Sequence, residues 1–163
     1  MKGGNMELFL IQQIYATLFA TNNKIQTMFD KQYKDLTLRQ FMLLLAISHI
    51  PEGECTFNRL AKQLGTSKQN IKQLVTILKE KRYILVEASK VDKRAKNISL
   101  TQGGIEIGVA YAEVGNVFLN NIASQFTTEE LEQLWNLLKR FYAFDGVQMD
   151  GFDIHPNNEK GRD

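Results

Sequence analysis

Apolar positions recur at helical spacing over most of the chain. Between Asn5 and Ile50 there is neither a glycine nor a proline. Alternating steps of three and four residues there predict one long first helix. Its main stripe consists of Leu8, Ile11, Tyr15, Leu18, Asn22, Ile25 and Phe29. Further apolar residues widen that stripe, so we expect this helix to contact partners on two sides.

Capping residues predict the next three helices. Thr37 and Gln40 have the spacing of a capping box, which predicts a second helix over 41–50 that ends at Pro51 and Gly53. Thr56 can cap a short third helix, with Phe57, Leu60 and Ala61 on its inner face, that stops at Gly65. Thr66 and Ser67 then open a fourth helix. Its predicted buried stripe is Ile71, Leu74, Val75 and Leu78.

The period then changes from helix to strand and back. Segment 83–87 is rich in β-branched and aromatic residues, and segment 95–100 alternates between polar and apolar residues. Together they predict a two-stranded hairpin. Thr101 can cap a fifth helix to about Gln125, and Thr127 with Glu130 predicts a capping box for a sixth. The apolar residues expected to point inward from the sixth helix are Leu131, Leu134, Trp135, Leu138, Phe141 and Tyr142.

The third and fourth helices have the spacing of a helix–turn–helix unit, whose second helix enters the major groove of DNA. With its apolar stripe buried, the fourth helix would present amides, a hydroxyl and ammonium groups outward. Amides can bond adenine bidentately, and lysines suit phosphates and guanine. The candidate DNA-facing residues on this helix are Lys68, Gln69, Asn70, Lys72, Gln73 and Thr76. An amphipathic helix with a plain polar surface would show the same pattern.

The charge distribution favours the DNA interpretation. Formal net charge is only +2 over the 163 residues, but residues 56–101 hold eleven Lys/Arg against three Asp/Glu. Residues 102–163 hold four against ten. A basic block inside a neutral-to-acidic chain is typical of a polyanion-binding surface, although a solvated surface without a partner remains the alternative.

The basic hairpin adds candidate contacts beside the same duplex. Lys93, Arg94 and Lys96 lie at or near its tip, together with Lys90. Arg94 is the side chain that we expect in the minor groove, where narrow A·T tracts concentrate negative potential. Asp92 can accept hydrogen bonds from loop amides or an arginine and so stiffen the tip, and this is compatible with a simple turn-forming role.

In this order the motifs resemble the MarR family of winged-helix transcription regulators. The likeness rests on Leu36-Thr-Leu-Arg-Gln-Phe, Leu60-Ala-Lys-Gln-Leu-Gly-Thr-Ser, Leu74-Val-Thr-Ile-Leu-Lys-Glu-Lys, Asp92-Lys-Arg-Ala-Lys and Leu100-Thr-Gln-Gly-Gly. The resemblance covers about residues 8–144. It implies a homodimer built from the first and last helices, and a repressor, less often an activator, tuned by a ligand or by oxidation. It also implies that Arg94 is the minor-groove arginine and Asp92 the acid that orients the wing.

Three positions depart from the family pattern. Ser89 and Val91 replace an acid and an arginine that often precede the wing acid, which would leave the wing less rigidly held. Arg82 stands where a glycine is common after the recognition helix. We therefore expect that helix to end without a left-handed residue.

Candidate switching residues are few. Redox-sensing members of the family use a first-helix cysteine, whereas the single cysteine here, Cys55, precedes the third helix, so an inert small residue is the simpler interpretation. A small aromatic or phenolic effector would need a pocket between the dimer helices and the winged domain. Its candidate lining residues are Tyr15, Phe19, Phe41, His49 and Tyr111. Aromatic residues at helical spacing are more often core, and His49 near a helix end suits capping.

The predicted fold class is mainly α with a small β-hairpin, a winged helix–turn–helix domain plus a helical dimerisation region. The domains are 1–35, the N-terminal dimerisation helix; 36–101, the winged DNA-binding domain; 102–144, the C-terminal dimerisation helices; and 145–163, an acidic tail. Phosphate-loop, nucleophile and zinc motifs are missing, so we expect no enzyme, metal or cofactor. Without a signal peptide or a membrane-length apolar run, we expect a cytoplasmic protein. The alternative is a winged-helix interaction module without DNA contact.

Overall fold

The computed structural model describes residues 3–88 and 96–149. They form six helices and one two-stranded antiparallel sheet. The elements are α1 (Gly3–Gln32), α2 (Leu38–His49), α3 (Phe57–Gln63), α4 (Lys68–Glu80), β1 (Ile84–Ala88), β2 (Lys96–Leu100), α5 (Gln102–Ala123), α6 (Thr128–Tyr142) and a 3₁₀ turn (Ala143–Asp145). The mainly helical fold class with one hairpin is confirmed.

The chain divides into two compact units, Met1–Phe41 and Met42–Asp163. In the first unit, the α1–α2 connection is held by side chains that bond to the backbone. Asp30 Oδ1 accepts a hydrogen bond from the Leu38 amide at 2.7 Å. Thr37 and Gln40 exchange the two bonds of the predicted capping box, at 3.3 and 3.4 Å. These bonds satisfy amides that the start of α2 leaves without helical partners.

The second unit has an aliphatic core. Side chains from α2, α3, α4 and both strands are almost fully buried. The amphipathic helices α3 and α4 pack on each other and on the hairpin. The largest buried residues of this unit are Leu43, Leu44, Leu60, Ile71, Leu78, Ile84 and Ile98. The predicted stripe of α4 is confirmed at Ile71, Val75 and Leu78, whereas Leu74 is half-buried.

The hairpin is joined to the core by backbone bonds as well as side chains. Its register pairs Ile84 with Leu100 and Ala88 with Lys96, so the alternation buries Ile84 and Ile98. The Ile98 amide also donates to the Cys55 carbonyl at 2.9 Å. The loop before α3 is therefore hydrogen-bonded to strand β2 of the hairpin.

Thr101 connects the hairpin to α5. Its hydroxyl donates to the Arg82 carbonyl at 2.7 Å and accepts the Gly104 amide at 3.0 Å, so the predicted cap is confirmed. The Thr101 amide donates to the Tyr83 carbonyl at 3.0 Å. Gly104 lies so close to that carbonyl that an added Cβ would be 2.0 Å from its oxygen. The start of α5 is thus fixed against the end of α4.

Arg82 contradicts the expectation that α4 ends without a left-handed residue, because it adopts φ +62° itself. Its amide bonds the Lys79 carbonyl at 2.9 Å, and the next amide, of Tyr83, bonds the Leu78 carbonyl at 3.0 Å. These two bonds are those of a Schellman ending. The last carbonyls of α4 need hydrogen-bond donors, and these two amides supply them. Arg82 adopts the left-handed conformation that this arrangement requires, although its Cβ makes that conformation unfavourable.

We expect Arg82→Gly to stabilise the protein by about 1 kcal/mol, because glycine adopts a positive φ without the Cβ penalty. Urea unfolding of the full chain measures this. Arg82→Ala is the matched control, since it removes the same side chain but keeps the Cβ, and it should not stabilise. An equal gain from both variants would trace the effect to the removed side chain rather than to the backbone.

The apolar residues of α6 do not all point inward as predicted. Leu134 is 44% exposed and Trp135 is 36% exposed, with the Lys139 ammonium 5.0 Å from the Trp135 ring centroid. Leu131, Leu138, Phe141 and Tyr142 are half-buried. The helical period places these residues on one face, and the described part of the chain covers that face only in part. Within the described segments, no helix is both long enough and apolar enough to cross a membrane.

Candidate nucleic-acid interface

The turn between α3 and α4 has the geometry that its sequence predicts. Thr56 Oγ1 accepts from the Arg59 amide at 3.2 Å, and Ser67 Oγ accepts from the Asn70 amide at 3.1 Å. Gly65 takes φ +58°, which a residue with a side chain rarely adopts. The Thr66 amide donates to the Ala61 carbonyl at 2.9 Å and closes the turn. These bonds fix the direction in which α4 leaves α3.

The burial of one face of α4 leaves the opposite face open. The six DNA-facing candidates are all exposed: Lys68, Gln69, Asn70, Lys72, Gln73 and Thr76. At 100° per residue, Gln69, Gln73 and Thr76 lie at the centre of this face. Lys68 and Lys72 lie along the edge that also carries Lys79. The helix therefore has an amide-bearing outer face and a basic edge.

Local hydrogen bonds distinguish the polar side chains of this face. The Asn70 amide group donates to the Thr66 hydroxyl at 3.0 Å, and the Thr76 hydroxyl donates to the Lys72 carbonyl at 2.9 Å. Gln69 and Gln73 make no side-chain hydrogen bond to another described residue. Their amides are consequently available for base edges, whereas Asn70 serves the turn.

A groove of about 910 Å³ lies between α4 and the hairpin. Its lining residues include the apolar side chains of Phe57, Val75 and Val86. Lys68, Lys72 and Lys79 from α4 and Lys96 from β2 also line it, so the groove brings together four lysines that are up to 28 positions apart in sequence. Among the described residues, none of the four forms an ion pair with an acidic side chain. Four ammonium groups against one acidic lining residue, Glu80, give this groove a positive potential suited to a polyanion.

Lys79 was outside the predicted set of contacts, although its spacing from Lys68 and Lys72 placed it on the same helix edge. Glu80 is the acid among the lining residues, at the far end of α4. The hairpin candidates Lys93 and Arg94, with Lys90 and the wing acid Asp92, lie outside the described residues. The last described pair of the hairpin is Ala88 with Lys96.

The effector candidates fall into two groups. Tyr15 and Phe19 on α1 are 66% and 63% exposed, whereas Phe41 and Tyr111 are buried. His49 ends α2, and its Nδ1 lies 2.7 Å from the Leu45 carbonyl. That contact is consistent with the capping interpretation of His49.

Cys55 is 2% exposed, and burial raises the pKa of its thiol to about 12. The Arg59 guanidinium lowers this pKa but does not offset the loss of solvation. A thiol is oxidised and alkylated through its thiolate. The burial of Cys55 therefore supports an inert structural residue.

We expect Cys55 in the folded protein to react with a thiol reagent at pH 8 roughly a thousandfold more slowly than in urea, because so little thiolate is present. The rate should rise about tenfold per pH unit as the thiol deprotonates. Stopped-flow absorbance with an aromatic disulfide measures both rates. Native and unfolded rates within tenfold of each other would contradict the buried thiol.

One contact across the second unit gave no sequence signal. The Tyr142 hydroxyl, at the end of α6, donates to the Lys62 carbonyl of α3 at 3.2 Å. A Cβ on Gly65 would lie 3.6 Å from the same hydroxyl. The end of α6 is thereby attached to the helix–turn–helix, which the apolar period of α6 could not indicate.

Together, a capped helix–turn–helix and an adjoining antiparallel hairpin define a winged-helix protein. The model of the MarR family matches residues 34–95. This match and the structural similarities below support a winged-helix transcription regulator of the MarR type, as the order of the motifs indicated.

Individual relatives agree with this assignment. The HTH-type transcriptional regulator PapX of Escherichia coli is 28% identical over 102 residues, which are 62% of this chain and 62% of PapX. The match thus spans less than two thirds of that relative.

Solved structures extend the likeness over more of the chain. S. aureus MepR, in a complex with DNA, is 26% identical at a TM-score of 0.71 and covers 79% of this chain and 96% of its own. A MarR/EmrR family regulator from Acinetobacter sp. ADP1 is 23% identical at a TM-score of 0.73, with 82% and 94% covered, and shows the shared fold.

Proposed function

We propose that the protein is a sequence-specific DNA-binding transcription regulator, and that it acts as a repressor. The observation that carries the proposal is the exposed face of α4 beside the four-lysine groove. Base edges are recognised by side chains that form hydrogen bonds to them, and phosphates are bound by cations. The amide-bearing face of α4 and the lysine groove therefore have complementary roles. The relative crystallised with DNA, MepR, supports the same partner for this chain.

In this proposal, α4 lies in the major groove with Gln69 and Gln73 against the bases. Glutamine amides favour adenine, and the described part of the outer face carries no arginine for guanine. Lys68, Lys72 and Lys96 contact phosphates. Arg94 enters the adjacent minor groove, Lys93 contacts the backbone, and Asp92 orients the wing. We therefore propose an A·T-rich site.

We further propose that the protein binds as a homodimer. Exposed apolar residues on α5 and α6 include Val117 at 64%, Leu119 at 58% and Leu137 at 58%. On α1, Phe9 is 52% exposed and Ile14 is 47% exposed. Apolar surface of this extent marks an interface. Segments 1–35 and 102–144 would then form the dimer, 36–101 would bind DNA, and the two-fold axis would make the site a pseudo-palindrome.

We propose that a small aromatic or phenolic effector releases the protein from DNA. The resemblance to the family supports this step, and Tyr15, Phe19, Phe41, His49 and Tyr111 remain the residues to test. Screening such compounds for release of bound duplex would identify the ligand.

Selection of bound sequences from random duplexes, using the full chain, tests the proposal directly. We expect an A·T-rich pseudo-palindrome with half-sites about one helical turn apart. If no duplex sequence is enriched, and if binding of the protein to duplex DNA does not depend on salt, the result would favour an interaction module that does not use DNA.

On the selected duplex, Gln69→Ala and Gln73→Ala should each weaken binding by about 1–3 kcal/mol, the usual contribution of a bidentate base contact. On random duplex the loss should be much smaller, because neither side chain carries charge. Fluorescence anisotropy on both duplexes measures the difference. Asn70→Ala is a useful comparison, since its amide is already bonded to Thr66. Equal losses on the two duplexes would show that another face of α4 reads the bases.

A further inference from the structure

Thr76 presents an unusual group for the middle of a polar helix face. Its side chain is exposed, yet its hydroxyl donates to the Lys72 carbonyl one turn earlier. This is the back-bond that threonine forms in helices. Since a hydroxyl has a single proton, Thr76 can offer a partner its γ-methyl group and an acceptor lone pair, but no donor.

Thr76 lies on the part of α4 that would read DNA bases in the proposed function. Helical spacing sets Thr76 on the same face as Gln73 and Gln69, three and seven positions earlier. Thr76 also lines the basic groove beside Lys72 and Val75. Cations for the phosphates and amides for the bases therefore flank it on two sides.

The chemistry of the major groove identifies a partner for a methyl group in this position. Thymine is the base that presents a methyl group there, and apolar contact with a threonine methyl is one of the pairings that distinguish it. Guanine O6 and N7, adenine N7 and thymine O4 accept hydrogen bonds. Thr76 can donate to none of them without breaking its bond to Lys72.

We propose that Thr76 is a specificity-determining residue that reads the 5-methyl group of one thymine in each half-site. The inference rests on the proposed function, because it requires the outer face of α4 to lie in the major groove. It adds a second contribution to the A·T preference, which comes from an apolar contact between methyl groups rather than from the glutamine amides.

Deoxyuridine tests this contact, because it lacks only the methyl group of thymine and keeps its pairing. Each thymine of the selected duplex is replaced in turn, and affinity is measured by fluorescence anisotropy with the full chain. For the wild type, we expect one position per half-site at which the replacement weakens binding about fourfold, the value of one buried methyl group.

Two variants separate the methyl group from the hydroxyl. Thr76→Ser keeps the hydroxyl and should bind thymine and deoxyuridine equally at that position. Thr76→Val keeps the methyl group and should retain the fourfold preference. Thr128→Ser makes the same chemical change on the exposed start of α6 and should leave the preference intact.

Three results would overturn the inference: no sensitive thymine, a preference that survives in Thr76→Ser, or one that is lost in Thr76→Val. The last would show that the γ-methyl group alone does not make the contact. These outcomes are distinct from failure of the proposed function, in which the wild type would select no duplex at all.

Discussion

Gly104→Ala should destabilise the protein by about 3 kcal/mol or more, the upper range for overpacking. The new Cβ would meet the Tyr83 carbonyl oxygen at 2.0 Å and its carbon at 2.9 Å. Both are backbone atoms between α4 and β1, so no side-chain rotation relieves the clash. Moving α5 away would lengthen the Thr101 amide bond to the same carbonyl and the Thr101 hydroxyl bond to Arg82.

Urea unfolding followed by circular dichroism measures the loss, and Gly108→Ala is its matched control. Gly108 lies one turn further along α5, and a Cβ there would have nothing within 4 Å. Alanine should therefore stabilise at this position by roughly 0.5–1 kcal/mol, because glycine is unfavourable inside a helix. A Gly104→Ala protein as stable as the wild type would mean that the junction of α5 with α4 is not fixed as described.

Replacing Lys72 and Lys96 together by glutamine should weaken DNA binding roughly a hundredfold at low salt and flatten its salt dependence. Each lysine occurs twice in a dimer, so four phosphate contacts would be lost. The slope of log K against log salt should become shallower by about 3.6, from about 0.9 per contact. The two residues come from α4 and β2 and line the same groove, which makes the prediction specific to its geometry.

Titration of duplex DNA at several salt concentrations measures both quantities. Lys31→Gln with Lys34→Gln is the control, because it removes the same number of exposed charges outside the groove. That variant should keep most of the slope. If the two double variants lost equal amounts, net charge rather than the groove would account for the binding.

Helix starts were predictable from sequence because capping bonds span three residues. Thr56, Ser67, Thr101 and Thr127 each accept the amide three positions later. The Thr127–Glu130 box forms both of its predicted bonds. These interactions depend on local chain geometry alone, and so does the period change that predicted the hairpin.

The polarity pattern was less informative about what covers each apolar face. The period of α6 placed Leu134 and Trp135 together correctly, but both are exposed in the single chain. Periodicity identifies a face without identifying its partner, which can belong to another copy of the chain. The backbone of Arg82 was mispredicted for a related reason, because the Schellman bonds outweigh the residue's own preference.

The order of the helices, their caps, the basic segment and the family that the motifs resemble could all be predicted from the sequence alone. Those features arise from neighbours within a few residues or from composition. Only the tertiary structure decided that Lys96 joins the lysines of α4, that Cys55 is buried beside Ile98, and that Gly104 leaves no space for a side chain. Each depends on backbone segments that are distant in sequence, whose separation is set by packing of the whole second unit.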